Sequence, residues 1–266
     1  MAWSDRACLP ILNLLRHIRF SNNKTMSDQE TFSEICSRRR SNRKFDREHQ
    51  VPDAVVERCL ELATLSPNSS NMQLWEFVWI HSNDMKARLV PLCLGQQAAS
   101  TASHLVAFVT RGDLWRSRAK WNLEQIPKAE SEKDEKRNKL MRKYYGTLMP
   151  LVYRTDMLGI STLFRRLITG VLGLFRPFAR MGKPGDRRVV LHKSCALAAQ
   201  TFMLAVTAEG YDTCPMEGFD RVRVAHALGL ADGAEVCMFV AVGKGTEAGI
   251  YGQQLRVPSN EVIRKI

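Results

Sequence analysis

RRSNR at residues 39–43, SPNSSNMQLW at 66–75 and PMEGF at 215–219 are the most informative segments of this 266-residue chain. The first offers guanidinium groups and a hydroxyl, which form strong charge-assisted hydrogen bonds with phosphate. The second is a turn rich in amide and hydroxyl groups. The third contains a glycine, which lets backbone N–H groups approach a ligand closely. Together the segments indicate a site for an anionic, planar ligand rich in heteroatoms.

Each segment alone also has a simpler interpretation. The arginine cluster is compatible with a solvated helix end, where the helix dipole favours basic residues. The second segment is compatible with a plain connection from a helix to a strand, and the third with an ordinary turn. Cys214 lacks an evident histidine partner, so we do not expect a catalytic thiol there. Of the cofactors that would use all three segments, flavin mononucleotide (FMN) fits best.

The composition is that of an ordinary globular protein near the upper size of a single domain, with 45% hydrophobic and 25% charged residues. The seven cysteines are scattered and contain no CxxC motif, which favours reduced thiols and a cytoplasmic location. No two histidines have the spacing of metal ligands, so we expect no metal site.

The net charge of +12 is concentrated in one segment. Residues 116–190 carry 18 Lys and Arg against 7 Asp and Glu, so the remainder of the chain is almost neutral. We therefore expect no nucleic-acid partner for the protein as a whole.

The organised domain is predicted to begin at Ser27, which forms an S-x-x-E capping box with Glu30. Residues 1–26 are interpreted as an N-terminal extension whose apolar run is too short to span a bilayer. Hydrophobic spacing then predicts helices and strands in alternation. The predicted helices start at 27 and at 52–53 and cover 84–92, 189–210 and 220–228, and the predicted strands cover 76–81, 105–110 and 235–242. This order indicates an α/β or α+β sheet covered by helices.

Residues 111–188 interrupt this order as a basic, largely helical insertion. Residues 128–143 have the mixed charge of a solvated helix. Residues 157–178 are apolar but contain the pair Arg165-Arg166, which is costly at a bilayer centre, so a transmembrane helix is rejected. A buried or partner-packed helical hairpin and an interfacial helix on a membrane surface remain as interpretations of 157–178.

Two nucleotide-binding motifs are excluded. Gly243-Lys244-Gly245 lacks the spacing of a P-loop. No GxGxxG motif is followed by an acidic residue, so a Rossmann dinucleotide site is unsupported.

In order and spacing, the three segments resemble the FMN-dependent nitroreductase family over roughly residues 30–110 and 189–258. The resemblance implies that Arg39, Arg40, Ser41, Arg43 and Arg256 hold the FMN phosphate and ribityl chain. It implies that the ring is covered by a loop, usually from the other subunit, containing Pro67, Asn68, Ser69, Asn71 and Gln73. The loop Pro215, Met216, Glu217 and Gly218 would place a backbone N–H at flavin N5, and Gln97 or its neighbour Gln96 would contact the pyrimidine side. Leu74 and Gln254 depart from residues common in the family, a proline and a basic residue.

The implied fold is α+β, a nitroreductase-like homodimer with a central, mostly antiparallel sheet flanked by helices and an exchanged C-terminal tail. It comprises one FMN-binding domain, residues 27–266, with the insertion 111–188. The implied activity is ping-pong electron transfer from NAD(P)H through flavin N5 to a nitroaromatic, a quinone or a similar small acceptor, with no catalytic side chain required. The alternatives are a basic module binding membrane surfaces or nucleic acid on this scaffold, and a family variant with dehalogenase or oxidase chemistry. Peripheral membrane contact would involve the insertion.

Overall fold

The computed structural model describes residues 26–153, 170, 171, 173–175, 177 and 185–266. At its centre lies a four-stranded sheet in the order β1-β2-β4-β3, and all three pairings are antiparallel. The strands are β1 (Trp75–Ile80), β2 (His104–Arg111), β3 (Asp212–Met216) and β4 (Ala234–Gly243).

Helices surround this sheet. They are α1 (Asp28–Arg38), α2 (Asp53–Thr64), α3 (Asn83–Leu92), α4 (Gln97–Thr101), α5 (Trp115–Glu124), α6 (Glu132–Lys143), α7 (Met149–Tyr153), α8 (Asp186–Ala208), α9 (Arg221–Ala227) and α10 (Ser259–Val262). The predicted capping box is present at α1, where Glu30 N donates to Ser27 Oγ and Ser27 N donates to Glu30 Oε2. The sequence also located α2, α3, α8 and α9 to within about three residues.

The two faces of the sheet form two cores, because successive side chains of a strand point to opposite faces. Leu105, Ala107 and Val109 of β2 pack toward α3, α4 and α9. Val106 and Phe108 pack toward α2 and α8. Nearly all of β2 is therefore buried, which is expected of a central strand covered on both sides.

The helix α8 spans the second core. Its small residues Cys195, Ala198 and Ala199 are fully buried, so the helix lies close to the sheet, as its composition predicted. Within the described residues, α8 is the one helix long and apolar enough to cross a membrane. Its packing identifies it as a core helix.

A third, smaller core joins the insertion to the body. Met72 and Leu74 pack with Ala119 of α5, Met149 and Tyr153 of α7, and Leu191 of α8. The helical character predicted for residues 128–143 is present in α6, which continues through a π-helical turn at Tyr144–Leu148 into α7. Most of the segment 157–178, to which the hairpin and membrane-surface interpretations apply, lies outside the described residues.

The strand β3 was not predicted, since Pro215 and Met216 were expected in a loop. The structure places both in β3, opposite Val240 and Phe239 of β4. Proline is tolerated there because β3 is an edge strand of this sheet, where one side of the backbone needs no ladder hydrogen bond.

Candidate functional site

The arginine segment 39–43 lies along the β3 edge of the sheet. Ser41 bridges Thr213 in parallel, and the backbone N–H of Asn42 donates to Thr213 O at 3.0 Å. The N–H of Arg43 donates to Gly249 O at 2.8 Å. The segment is thereby held in an extended conformation by partners more than 170 residues later in the sequence. Its side chains therefore project from a fixed backbone.

Asn42 anchors this segment. Its side chain is 1% exposed, donates from Nδ2 to Thr246 O at 3.0 Å and accepts at Oδ1 from Lys44 N at 3.1 Å. A Cβ on Gly249 would lie 1.8 Å from Asn42 Oδ1, and a Cβ on Gly245 would lie 2.2 Å from Nδ2. Both glycines are therefore required for the chain after β4 to close over Asn42.

The chain after β4 brings a fourth arginine to the segment. Arg40 Nη2 donates to Gly252 O at 2.9 Å, and the Arg43 guanidinium lies 4.9 Å from the centroid of the Tyr251 ring. Arg256 follows and lies near enough to Arg39 for the two charges to interact. The structure thus places Arg39, Arg40, Ser41, Arg43 and Arg256 near one another.

The electrostatics of this cluster favour an anion. The pKa of Arg39 is lowered, first by burial of its guanidinium and then by the positive charges of Arg256 and Arg40. Within the described part of the chain, no Asp or Glu forms an ion pair with Arg39, Arg40, Arg43 or Arg256. A cluster of like charges without a counter-charge is costly, most of all at the partly buried Arg39, and a phosphate would supply the missing counter-charge.

The end of β3 leads directly to the predicted ring contact. Met216 is buried, whereas Glu217 and Gly218 are exposed. Gln96 Nε2 donates to Gly218 O at 2.7 Å, and its own position is fixed by a second bond to Cys93 O at 3.1 Å. A Cβ on Gly218 would lie 3.4 Å from this amide, an ordinary van der Waals distance.

Gln97 occupies a different place from Gln96. It begins α4, is exposed, and lines an open cleft of about 590 Å³ together with Lys44, Arg47, Glu48 and Thr246 among others. Of the two glutamines considered from the sequence, the structure places Gln96 beside Gly218.

The polar loop 66–74 has a strained backbone and is held by an internal hydrogen bond. Ser70, Asn71 and Gln73 have positive φ values of 57°, 49° and 48°. Such values are uncommon outside glycine, and clusters of them are typical of functional sites. Asn68 holds the loop closed by accepting at Oδ1 from Gln73 N at 2.8 Å.

The insertion holds the outer side of this loop. Tyr144 OH lies 2.6 Å from Ser70 Oγ, and Tyr145 OH donates to Ser70 O at 3.1 Å. The buried Asn122 donates to Asn71 O at 3.1 Å. These three partners were not identified from the sequence. The polar, aromatic residues of the insertion carried no motif that connected them to a loop some 50 to 75 residues earlier.

Within one chain, the loop and the arginine cluster lie apart. The loop precedes β1 at one edge of the sheet, and the arginine segment lies beside β3 at the other edge. Ser69 N donates to Ser194 Oγ in the first half of α8, whereas Arg38 Nη2 donates to Thr207 O near its end. At 1.5 Å per residue, these two points are about 20 Å apart along the helix.

Comparison with known proteins decides the family. The sequence profile described as "Nitroreductase family" matches residues 36–244, from the end of α1 to just beyond β4. The chain belongs to the nitroreductase family. The match confirms the resemblance drawn from the three segments, and with it the oxidoreductase class.

The similar proteins agree with this assignment. The Bacillus subtilis protein named "Putative NAD(P)H nitroreductase YodC" is 26% identical over 231 residues, which are 86% of this chain and 96% of that protein. A crystal structure of the nitroreductase YdfN from B. subtilis, described as putative, superposes with a TM-score of 0.67 at 21% identity, covering 88% and 98% of the two chains.

A third similar protein is a nitroreductase from Exiguobacterium sibiricum, also described as putative, crystallised in complex with FMN. It superposes with a TM-score of 0.62 at 24% identity, covering 92% of this chain and all of the other. These superpositions confirm the nitroreductase-like α+β fold.

Proposed function

We propose that this protein is an FMN-dependent oxidoreductase that passes electrons from NAD(P)H to a small acceptor. The observation that carries the proposal is the cluster of Arg39, Arg40 and Arg256, whose charges interact at the edge of the sheet without a carboxylate partner among the described residues. The FMN complex of the E. sibiricum nitroreductase supports the identity of the anion, and the NAD(P)H named for YodC supports the donor.

The residues fit the cofactor in two parts. Arg39, Arg40, Ser41, Arg43 and Arg256 would hold the phosphate and the ribityl chain. Glu217 and Gly218 would present backbone N–H groups to the ring, with Pro215 and Met216 fixed in β3 and Gln96 fixed by its bond to Gly218 O. Bound FMN would supply the redox chemistry, accepting a hydride at N5 from NAD(P)H and then reducing a nitroaromatic or quinone in ping-pong order. The protein's own part is to bind, orient and shield.

The complete site requires a homodimer. The loop containing Pro67, Asn68, Ser69, Asn71 and Gln73 lies at the edge of the sheet opposite the arginines, so the loop of a partner subunit would cover the ring. The last sixteen residues, 251–266, are all exposed in the single chain, including Tyr251, Leu255 and Ile263. An exchanged tail would bury these apolar side chains, whose exposure in water is otherwise unfavourable.

The domain organisation and the cellular location are proposed on the same basis. We propose one domain over residues 27–266 carrying the insertion 111–188, with residues 1–26 as an extension. The six described cysteines are free, which suits a reducing, cytoplasmic compartment.

Titration of FMN tests the proposal. We expect the protein stripped of ligand to quench FMN fluorescence with a stoichiometry of one FMN per chain and a Kd of about 1 µM or lower, a value within the usual range of protein–ligand affinities. Riboflavin, which lacks the phosphate, should bind at least about tenfold more weakly, since one charge-assisted contact contributes about 1.5–3 kcal/mol. Equal affinity for FMN and riboflavin would contradict the assignment of the arginine cluster to phosphate.

Peripheral membrane contact is a second candidate function, favoured by apolar side chains exposed on the basic insertion. Leu140 and Leu151 are 70% and 60% exposed, and Leu174 and Phe175 are 78% and 83% exposed. Basic segments with exposed apolar residues bind anionic membrane surfaces. Co-sedimentation with anionic vesicles, lost when the Leu174 and Phe175 side chains are replaced by serine, would support this role. Absence of the unaltered protein from the vesicle pellet would exclude it.

A further inference from the structure

A second cluster of reactive groups lies in the core between β4 and α8. Cys237 sits at a β-bulge, where the register of β4 against β2 shifts between the pairs Phe108–Met238 and Val109–Val236. The bulge places Cys237 on the face packed against α8, together with Cys195 of that helix. Bulges redirect side chains in this way and recur beside functional sites.

The two thiols and one imidazole form a contiguous group. The Cys237 thiol interacts with that of Cys195 and with the imidazole of His192, one turn earlier on α8. Cys237 Sγ also lies 3.7 Å from His192 O. On the outer side, His192 Nε2 lies 3.4 Å from Glu235 Oε2, which in turn accepts from Arg188 Nε at 2.6 Å.

We propose that Cys195 and Cys237 are a redox-active pair in which a hydroperoxide oxidises Cys237 and Cys195 then closes a reversible disulfide. Nothing in the flavin site uses either thiol, so this chemistry is additional to the proposed electron transfer. It makes α8 and β4 covalently linked in the oxidised protein.

The exposures of the two thiols assign their roles. Cys237 keeps 7% of its surface accessible to solvent, whereas Cys195 is fully buried. Cys237 is therefore the thiol attacked first, and Cys195 is the resolving thiol.

The charges around Cys237 favour its thiolate. Its contacts with Cys195 and His192 lower its pKa to about 5, against the opposing effects of burial and of the Glu217 carboxylate. The same contact with Cys237 raises the pKa of His192, against burial and the nearby Arg188. A thiolate paired with an imidazolium is the reactive form, as in other activated cysteines.

The steps balance. The Cys237 thiolate attacks one peroxide oxygen, the O–O bond breaks, and the imidazolium of His192 gives a proton to the leaving hydroxide. Cys237 becomes a sulfenic acid, oxidised by two electrons, as the peroxide is reduced to water. Cys195 then attacks the sulfur of Cys237, its proton passes through His192 to the departing hydroxyl, and an S–S bond and a second water form.

Mass spectrometry of the full-length FMN-loaded protein tests the proposal. The protein would be treated with hydrogen peroxide at pH 7, its free thiols alkylated, and the protein digested without reductant. We expect a peptide pair linked through Cys195 and Cys237 that disappears after dithiothreitol. Cys59 is the matched control, because it lies in the same core and burial raises its pKa to about 12, so it should stay a reduced, alkylatable thiol.

Two variants separate reactivity from structure. Cys195→Ser should trap Cys237 as a sulfenic acid, which dimedone captures when the peroxide-treated protein is unfolded in its presence, with no linked peptide. His192→Gln should slow peroxide oxidation of Cys237 roughly tenfold at pH 7, since the thiolate fraction falls while the intrinsic nucleophilicity rises. If peroxide yields no 195–237 linkage in the folded protein, or oxidises Cys59 as fast as Cys237, the proposal is overturned.

Discussion

At the scale of single residues, Arg39 makes the most direct test of the phosphate site. Its guanidinium is partly buried, and its pKa is lowered by that burial and by the positive charges of Arg256 and Arg40. Loss of one charge-assisted contact costs about 1.5–3 kcal/mol. We therefore expect Arg39→Ala to raise the Kd for FMN roughly ten- to hundredfold in a fluorescence titration.

The control for this substitution is Arg88→Ala, which removes an exposed arginine on α3, outside the cluster. It should leave the Kd for FMN within about twofold, since surface substitutions away from a site have small effects. Equal losses of affinity in the two variants would mean that net charge, and not the cluster, attracts the cofactor.

The arginines themselves were predictable because a phosphate requires convergent cationic donors, and RRSNR is visible in the sequence. Asn42 was not predictable as the anchor. Its role depends on Thr213, Thr246 and Gly249, which approach it only through tertiary structure. Gln96 was distinguished from Gln97 only by the path of the turn after α3, which leaves Gln96 facing Gly218.

Among the secondary-structure elements, the chain after β4 can approach the arginine segment closely only if residue 249 has no side chain. A Cβ at Gly249 would overlap Asn42 Oδ1 and would also lie within 2.7 Å of the Lys44 backbone. We expect Gly249→Ala to lower the free energy of unfolding by about 3 kcal/mol, the upper part of the range for overpacking. Urea denaturation followed by circular dichroism measures this, and FMN affinity should fall with it.

Gly146→Ala is the matched control for that change. Its added Cβ would meet only Leu123 Cδ1, at 4.0 Å, so the stability should be unchanged or slightly higher, as alanine is the better helix former. A Gly249→Ala variant as stable as wild type would show that the segment 245–249 does not close on Asn42 in solution.

Elements with strong local signals were recovered from the sequence, and those that depend on distant partners were not. The α1 boundary follows from the Ser27–Glu30 capping box, a contact between residues three apart. The strand β3 contains Pro215 and exists through its pairing with β4, more than twenty residues later. The hydrogen bonds from Asn122 and Tyr144 to the loop 66–74 were not predicted, because they also join residues far apart in the sequence.

At the scale of the whole molecule, the two halves of the candidate site lie at opposite edges of one chain's sheet, so a dimer is the simplest way to unite them. We expect a mass of twice 30.2 kDa by sedimentation equilibrium. Removal of residues 251–266 should weaken the dimer, so that monomer appears at micromolar concentration, because the exchanged apolar side chains are lost.

A monomeric wild-type protein would contradict this arrangement directly. A truncated protein that dimerises as tightly as wild type would instead show that the tail is not exchanged and that other surfaces hold the subunits together. The truncation also removes Arg256, so the full-length Arg256→Ala variant serves as the control. This variant should bind FMN more weakly and remain a dimer, which shows the effect of losing Arg256 alone.

We propose above that this chain carries a flavin that NAD(P)H reduces and a small acceptor reoxidises. The most direct measurement is the visible absorbance spectrum of the FMN-loaded protein, followed without oxygen as NADPH or NADH and then a nitroaromatic or quinone is added. We expect flavin bands that bleach with the nicotinamide and return with the acceptor. A protein that remains colourless with excess FMN, or whose flavin bands persist with both nicotinamides, would contradict the account.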